Sequence, residues 1–301
     1  MVRCVSLFSQ LIKKEGNKMA KAKLYVLSNG RMWIEKGFVY LYGGREDGGK
    51  FYEPKALEIS NSSYFIDHPK AKILFDLGWK IEDFSKPLFQ GFPMRPGPEG
   101  LTFQQSPDEN PKSQLEKIGV SIDDIDYVVI SHLFVDHDGW LPLFRGKKAR
   151  IIVQRREFEY AYSNINPKAA LEPYMSWLYW KDHFDYPDLN YELIEGDHLI
   201  VEDVEIIFTP GHSPGYQRMK VKLEESGTII LSSCEFRHMY YGFGIYADAP
   251  GIPHTWTYSH PDELRGHRRI LEIAKRENAQ IFFGHEMEQF KALKKVPEFY
   301  A

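Results

Sequence analysis

Four short polar clusters hold most of the side chains that could bind a metal ion: His132-Leu133-Phe134-Val135-Asp136-His137, Gly211-His212-Ser213-Pro214-Gly215, Cys234-Glu235 and Gly284-His285-Glu286. Imidazole nitrogen, carboxylate oxygen and thiolate sulfur are the donors that zinc accepts in a four-coordinate shell. The spacing is wide, with 75 residues from His137 to His212, 22 more to Cys234 and 51 more to His285. Zinc fingers and ribbons take their ligands in close pairs, so these clusters need the tertiary fold to bring them together. A single histidine of this kind is commonly a solvated loop residue. Four clusters in succession, each after an apolar segment, point instead to one shared site. His183, His198, His238, His254, His260 and His267 lack that context and read as surface or pocket residues, although His238 and His254 flank an aromatic stretch from which they could reach a ligand.

Each cluster follows a segment that reads as a strand: residues 127–130, 204–208, 228–231 and 281–283. The C-terminal edge of such strands is where α/β architectures place their chemistry. Upstream, residues 24–27, 32–34 and 39–42 read as short strands in antiparallel hairpins. Residues 63–67 and 72–78 form a strand, turn and strand that end on Asp76, Leu77 and Gly78. Four prolines and three glycines between residues 85 and 100 mark a loop. Helical patterns cover residues 113–118, 155–162 and 263–276, and aromatic residues crowd the stretch from Tyr160 to Tyr191.

The chain has 301 residues, enough for one large domain or two ordinary ones. Hydrophobic residues at 43% and charged residues at 27% exclude intrinsic disorder, and a formal charge of −4 argues against a nucleic-acid partner. No apolar run approaches the roughly 18 residues that span a bilayer, so no membrane partner is expected. The two cysteines, Cys4 and Cys234, cannot build a disulfide framework and suit a reducing cytoplasm. Residues 1–22, with Lys13, Lys14, Lys18 and Lys21, read as a tail, with Met19 a second candidate start. Its apolar stretch is too short for a targeting peptide. Residues 23–301 then form a single domain.

Phe75-Asp76-Leu77-Gly78, Ser131-His132-Leu133 with Asp136-His137, residues 209–215 (TPGHSPG) and Phe282-Phe283-Gly284-His285 together resemble the metallo-β-lactamase superfamily. Within it they are most similar to the N-acyl homoserine lactonases and related lactone hydrolases. The resemblance implies an α/β fold, an αββα sandwich with a metal site at one edge of two packed sheets. It also implies metal ligands at His132, Asp136, His137, His212, Cys234 and His285.

Two departures stand out. Phe134 occupies a position where the family has a ligand histidine, and Cys234 occupies that of a bridging aspartate. Asp136, His137, His285 and Cys234 therefore make the more complete site, and a mononuclear or asymmetric zinc site is expected, with one zinc per chain favoured over two. Glu235 is the alternative to Cys234, since successive strand residues face opposite sides; counting from Gly227 and Leu231 favours Cys234.

The expected reaction is hydrolysis of a small lactone or ester by zinc-activated water. Asp136 would bind metal and steer the proton, and Tyr240 or Tyr241 would donate to the oxyanion, although Arg237 holds the family's offset. The aromatic stretch suggests a partly apolar substrate under an insertion at the mouth, or else a core patch. An aryl ester or aryl ether is the alternative substrate class. A non-catalytic subunit of a homo- or hetero-oligomer is the rival reading, and a redox member of the superfamily with two irons and a flavodoxin-like domain is disfavoured because that chemistry wants a full set of carboxylate and histidine ligands and no flavin domain fits in the remaining chain.

Overall fold

The computed structural model describes residues 21–39, 56–85, 102–166, 168, 173–240, 251 and 253–301. The proposed tail up to residue 20, the loop after residue 85 and Tyr241 lie outside them. Among the described residues twelve strands form two sheets, in which β-branched and aromatic residues alternate between two apolar surfaces. The first sheet contains β1 (Lys23–Glu35), β2 (Ala56–His68), β3 (Ala71–Phe75), β4 (Phe103–Gln104), β5 (Tyr127–Val129), β6 (Arg150–Gln154) and β7 (Tyr191–Ile194) in the order β4-β1-β2-β3-β5-β6-β7. The second contains β8 (His198–Val201), β9 (Val204–Phe208), β10 (Gln217–Leu223), β11 (Gly227–Leu231) and β12 (Gln280–Phe282) in the order β12-β11-β10-β9-β8.

The alternation decides the layers. Val129 and Ile152 point between the sheets, where they meet Val204, Met219, Ile229 and Leu231. Their neighbours Val128, Ile151 and Val153 point outward with Leu115, Tyr160 and Ala161 from α2 (Pro111–Glu116) and α3 (Arg155–Asn164). On the far side, Ile207, Ile230 and Ile281 pack against Ile270 and Ile273 of α6 (His260–Glu277), the helix that follows the short α4 (Lys181–Phe184) and α5 (Arg237–Tyr240). The result is the expected αββα sandwich. Among the described residues no helix is long and apolar enough to cross a membrane.

One expectation is corrected. Residues 24–27 and 32–34 are not two strands of a hairpin but parts of the 13-residue β1, and Val39 ends the short helix α1 (Lys36–Val39). Gly30, with φ at +91°, sits in a register shift between Ser28 and Arg31 instead of a turn. A side chain there would meet the Gln104 carbonyl oxygen at 2.4 Å, so glycine is what allows β4 to pair closely beside β1.

β3, β5, β6 and β7 are parallel, and β11 is parallel to β12. β10 runs antiparallel to both β9 and β11, so those two share a direction. The loops after β5, β9, β11 and β12 consequently leave on one edge of the sandwich, carrying the four polar clusters.

Candidate metal centre

The edge is organised by Asp76, which follows β3 with φ at +56°. Its Oδ1 accepts the Ser131 N–H at 2.8 Å, and its Oδ2 accepts from the Ser131 and Ser233 hydroxyls at 2.9 and 2.5 Å and from His137 Nδ1 at 3.0 Å. A second buried carboxylate, Glu157 of α3, ties two loops together by accepting from Leu133 N at 3.0 Å, Ser213 Oγ at 2.5 Å and Gly215 N at 3.0 Å. Burial raises its pKa, and those donors act against the rise.

Two overlapping donor groups result. Asp136, His137, Cys234 and His285 offer ligand atoms that all lie within 4.8 Å of one another, and so do His132, His212 and Cys234. Oδ2 of Asp136 is 3.2 Å from Nε2 of both His137 and His285. The opposite nitrogen of each imidazole is anchored, His137 Nδ1 on Asp76 and His285 Nδ1 on the Ser60 carbonyl at 2.7 Å. His132 Nδ1 meets the Ser131 hydroxyl at 2.8 Å. Such outer partners fix the tautomer and turn the other nitrogen toward a metal. His132 Nε2, His137 Nε2 and both nitrogens of His212 are buried without a hydrogen-bond partner. Buried ring nitrogens left unpaired are costly, and a cation at their meeting point removes that cost.

The charges fit the same reading. Burial alone would raise the Cys234 thiol, but the surrounding imidazoles of His212, His285, His132 and His137 bring it well below its ordinary value. Burial also opposes ionisation of Asp136, yet His137 and His285 hold its carboxyl far below the usual range. Burial and the neighbouring His137 push His132 down to about 3, which leaves it neutral with a free lone pair.

The register question has a structural answer. Cys234 joins both donor groups, whereas Glu235 turns away to pair with Arg218 and with His267 at 3.1 Å. Simple alternation is interrupted here because Ser233 adopts a left-handed conformation, with φ at +49°.

Other expectations are amended. The Tyr240 hydroxyl is committed to Glu235 and to Ser232 at 2.5 Å, so it is buried away from the cavity and is not placed to serve an oxyanion. His183 and His267 are neither surface nor pocket residues. His183 bridges Asp138 at 2.7 Å and Asp83 at 2.9 Å, and His267 contacts Glu235. The aromatic stretch divides: Trp177 lines the cavity, while Tyr160, Tyr179 and Phe184 belong to the core.

A cavity opens onto the donors. Asp136, His212, Cys234, His254 and His285 form one polar pole, and Met32, Ile34, Ile59, Trp177, Phe236 and Trp256 contribute to an apolar wall. Phe134 sits between, its ring centroid 4.3 Å from that of His132 and 5.1 Å from that of His212.

The sequence pattern of the metallo-β-lactamase superfamily matches residues 57–231 of the chain, the span that holds four of the six proposed ligands. The chain belongs to the metallo-β-lactamase superfamily. An N-acyl homoserine lactonase from Bacillus thuringiensis is 29% identical over 283 residues, covering 93% of this chain and all of that protein. The N-acyl homoserine lactonase AttM of Azorhizobium caulinodans is 28% identical over 94% of this chain and all of that one. The solved structure of an N-acyl homoserine lactone hydrolase, with N-hexanoyl-L-homoserine bound at its catalytic metal centre, superposes with a TM-score of 0.71 at 28% identity over 94% of this chain. This superfamily member is a metal-dependent, lactonase-like hydrolase.

Proposed function

We propose that the protein hydrolyses a small lactone or ester at a zinc site held by Asp136, His137, His285 and Cys234. The observation that carries this reading is the meeting of a carboxylate with two anchored imidazoles: Asp136 Oδ2 lies 3.2 Å from both His137 Nε2 and His285 Nε2. A carboxylate, two imidazoles and a thiolate suit the donor preferences of zinc. When bound, zinc supplies Lewis acidity and makes a water-derived nucleophile available near neutral pH. Asp136 lines the cavity, where its carboxylate can take the water's proton and return it to the leaving oxygen. Phe134 and Trp177 exclude bulk water from that pole, and the apolar wall receives an alkyl or aryl substituent next to the reacting carbonyl. Among the described lining residues, all ionisable groups lie at the polar pole, which favours a neutral substrate. Aryl esters share that chemistry and form the second reading.

Elemental analysis of the purified protein, paired with a panel of lactones and aryl esters, tests the proposal. Zinc near one tightly held equivalent per chain and lactone turnover are expected. Asp136→Ala should lose most of the metal and the turnover, whereas His132→Ala should keep most of the metal. A folded protein with no affinity for zinc would leave the non-catalytic reading in its place.

A further inference from the structure

Phe134 leaves His132 and His212 one imidazole short of the family pattern, and another imidazole stands beside them. The His254 ring centroid lies 4.2 Å from that of His212, nearer than the Phe134 ring at 5.1 Å. Its Nδ1 is paired with Oε1 of Glu263, a buried residue in the first turn of α6. Its Nε2 is buried with no hydrogen-bond partner. A carboxylate on one nitrogen, with the other turned toward further donors, is how metal-binding histidines are oriented. His212, His254 and Glu263 offer ligand atoms within 4.8 Å of one another, and His212 shares a second such group with His132 and Cys234.

The placement of His254 is fixed by backbone contacts. Tyr258 N–H donates to the His212 carbonyl at 3.1 Å and Ser259 N–H to the Gly211 carbonyl at 2.8 Å. Gly211, with φ at +148°, makes the approach feasible, since a side chain there would meet Glu263 N at 2.2 Å. The segment that carries His254 is thereby tied to the loop that carries His212.

We propose that His254 is a metal ligand that stands in for the imidazole absent at Phe134, so that His132, His212, His254 and Cys234 form a second zinc site. The inference rests on the reading above, in which Cys234 and the neighbouring donors hold zinc. The second site is the weaker one, because Cys234 serves both sites and the thiolate charge given to one zinc is not fully available to the other.

Zinc titration of the metal-free full-length protein against a chromophoric chelator tests this without reference to turnover. Two equivalents are expected, the second weaker. His254→Ala should lower the second affinity at least ten-fold and spare the first, and Glu263→Gln should lower it by about 10–100-fold. Phe134→His added to His254→Ala should restore the second equivalent. If His254→Ala does not fold, His254→Gln replaces it, since its amide can donate to Glu263 but binds zinc poorly. An unchanged second affinity in the His254 variants overturns the proposal, and loss of hydrolysis alone in those variants would make His254 a substrate contact. One equivalent in the parent also overturns it and leaves the first site standing, whereas no zinc at all removes both.

Discussion

Asp76 Oδ2 and His137 Nδ1 share a 3.0 Å hydrogen bond beneath the cavity, and this bond determines which nitrogen of His137 faces Asp136. Asp76 also accepts from Ser131 and Ser233, so removing its carboxylate releases the loops after β5 and β11 together. Asp76→Ala should therefore weaken zinc binding by about 10–100-fold even though Asp76 is not in either donor group. Chelator competition on the folded variant measures it, and parent-like affinity would show that the imidazole is oriented by its packing alone.

Glu157 gives a second test of loop positioning. Three of its acceptor bonds tie the loop of His132 to the loop of His212. Glu157→Ala leaves the N–H groups of Leu133 and Gly215 buried and unpaired, at a cost of about 1–3 kcal/mol for each such group. A thermal melt should show a drop of several degrees, with the His132 and His212 site losing zinc before the Asp136 site does.

Phe134→His in the otherwise unmodified protein should strengthen the second zinc equivalent, because it adds an imidazole where the ring now abuts both His132 and His212. Isothermal titration of the metal-free variant would show the change. A variant that folds, takes up zinc as the parent does and hydrolyses the lactone panel equally would mean that residue 134 is too far from the ion to bind it.

Cys234 should make the proposed centre sensitive to oxidation, since thiolate character governs attack by peroxide. Mild peroxide should release zinc and stop hydrolysis, and thiol reductant should recover part of both. Cys234→Ser should weaken zinc binding, and Cys234→Asp should retain the fold and bind two ions more evenly. Unaltered zinc affinity in Cys234→Ala would assign the thiol to packing.

Asp126 supplies a test remote from the metal. Burial raises its pKa, but the Lys72 N–H bond at 2.9 Å and Lys148 at 3.1 Å bring the carboxyl below its usual value. A depressed folded-state pKa stabilises above the unfolded value of about 3.9 and loses that contribution as pH falls through the folded value. Asp126→Asn should lower the melting temperature slightly at pH 7 and leave it near the parent's at pH 2–3. The carboxylate is partly exposed, so the effect is at most about 1 kcal/mol.

The four clusters and the strands before them were legible because apolar runs ending in His, Asp or Cys are local signals. Val128 and Val129 even show which layer each side of β5 faces. The break between residues 24–27 and 32–34 misled because a gap in the apolar pattern serves a turn or a strand irregularity, and only the pairing of β4 beside β1 distinguishes them. Glu157 and His183 were missed for a different reason. On a helix they look like ordinary solvated residues, and their burial depends on partners far away in sequence, such as Gly215 and Asp83. His254 carried a faint signal, its place beside an aromatic stretch, but its pairing with Glu263 depends on how α6 docks.

The donors come from both sheets, with His132, Asp136 and His137 after β5 and His212, Cys234 and His285 after β9, β11 and β12. An ion held there is thus a removable cross-link between the two halves of the sandwich, and its binding energy is added to the cohesion of the fold. At a free concentration one hundred times the dissociation constant, the gain is about 2.7 kcal/mol. The lifetime of the folded chain in a cell then follows the local supply of the metal, and starvation for zinc would select against the protein itself as well as against its turnover.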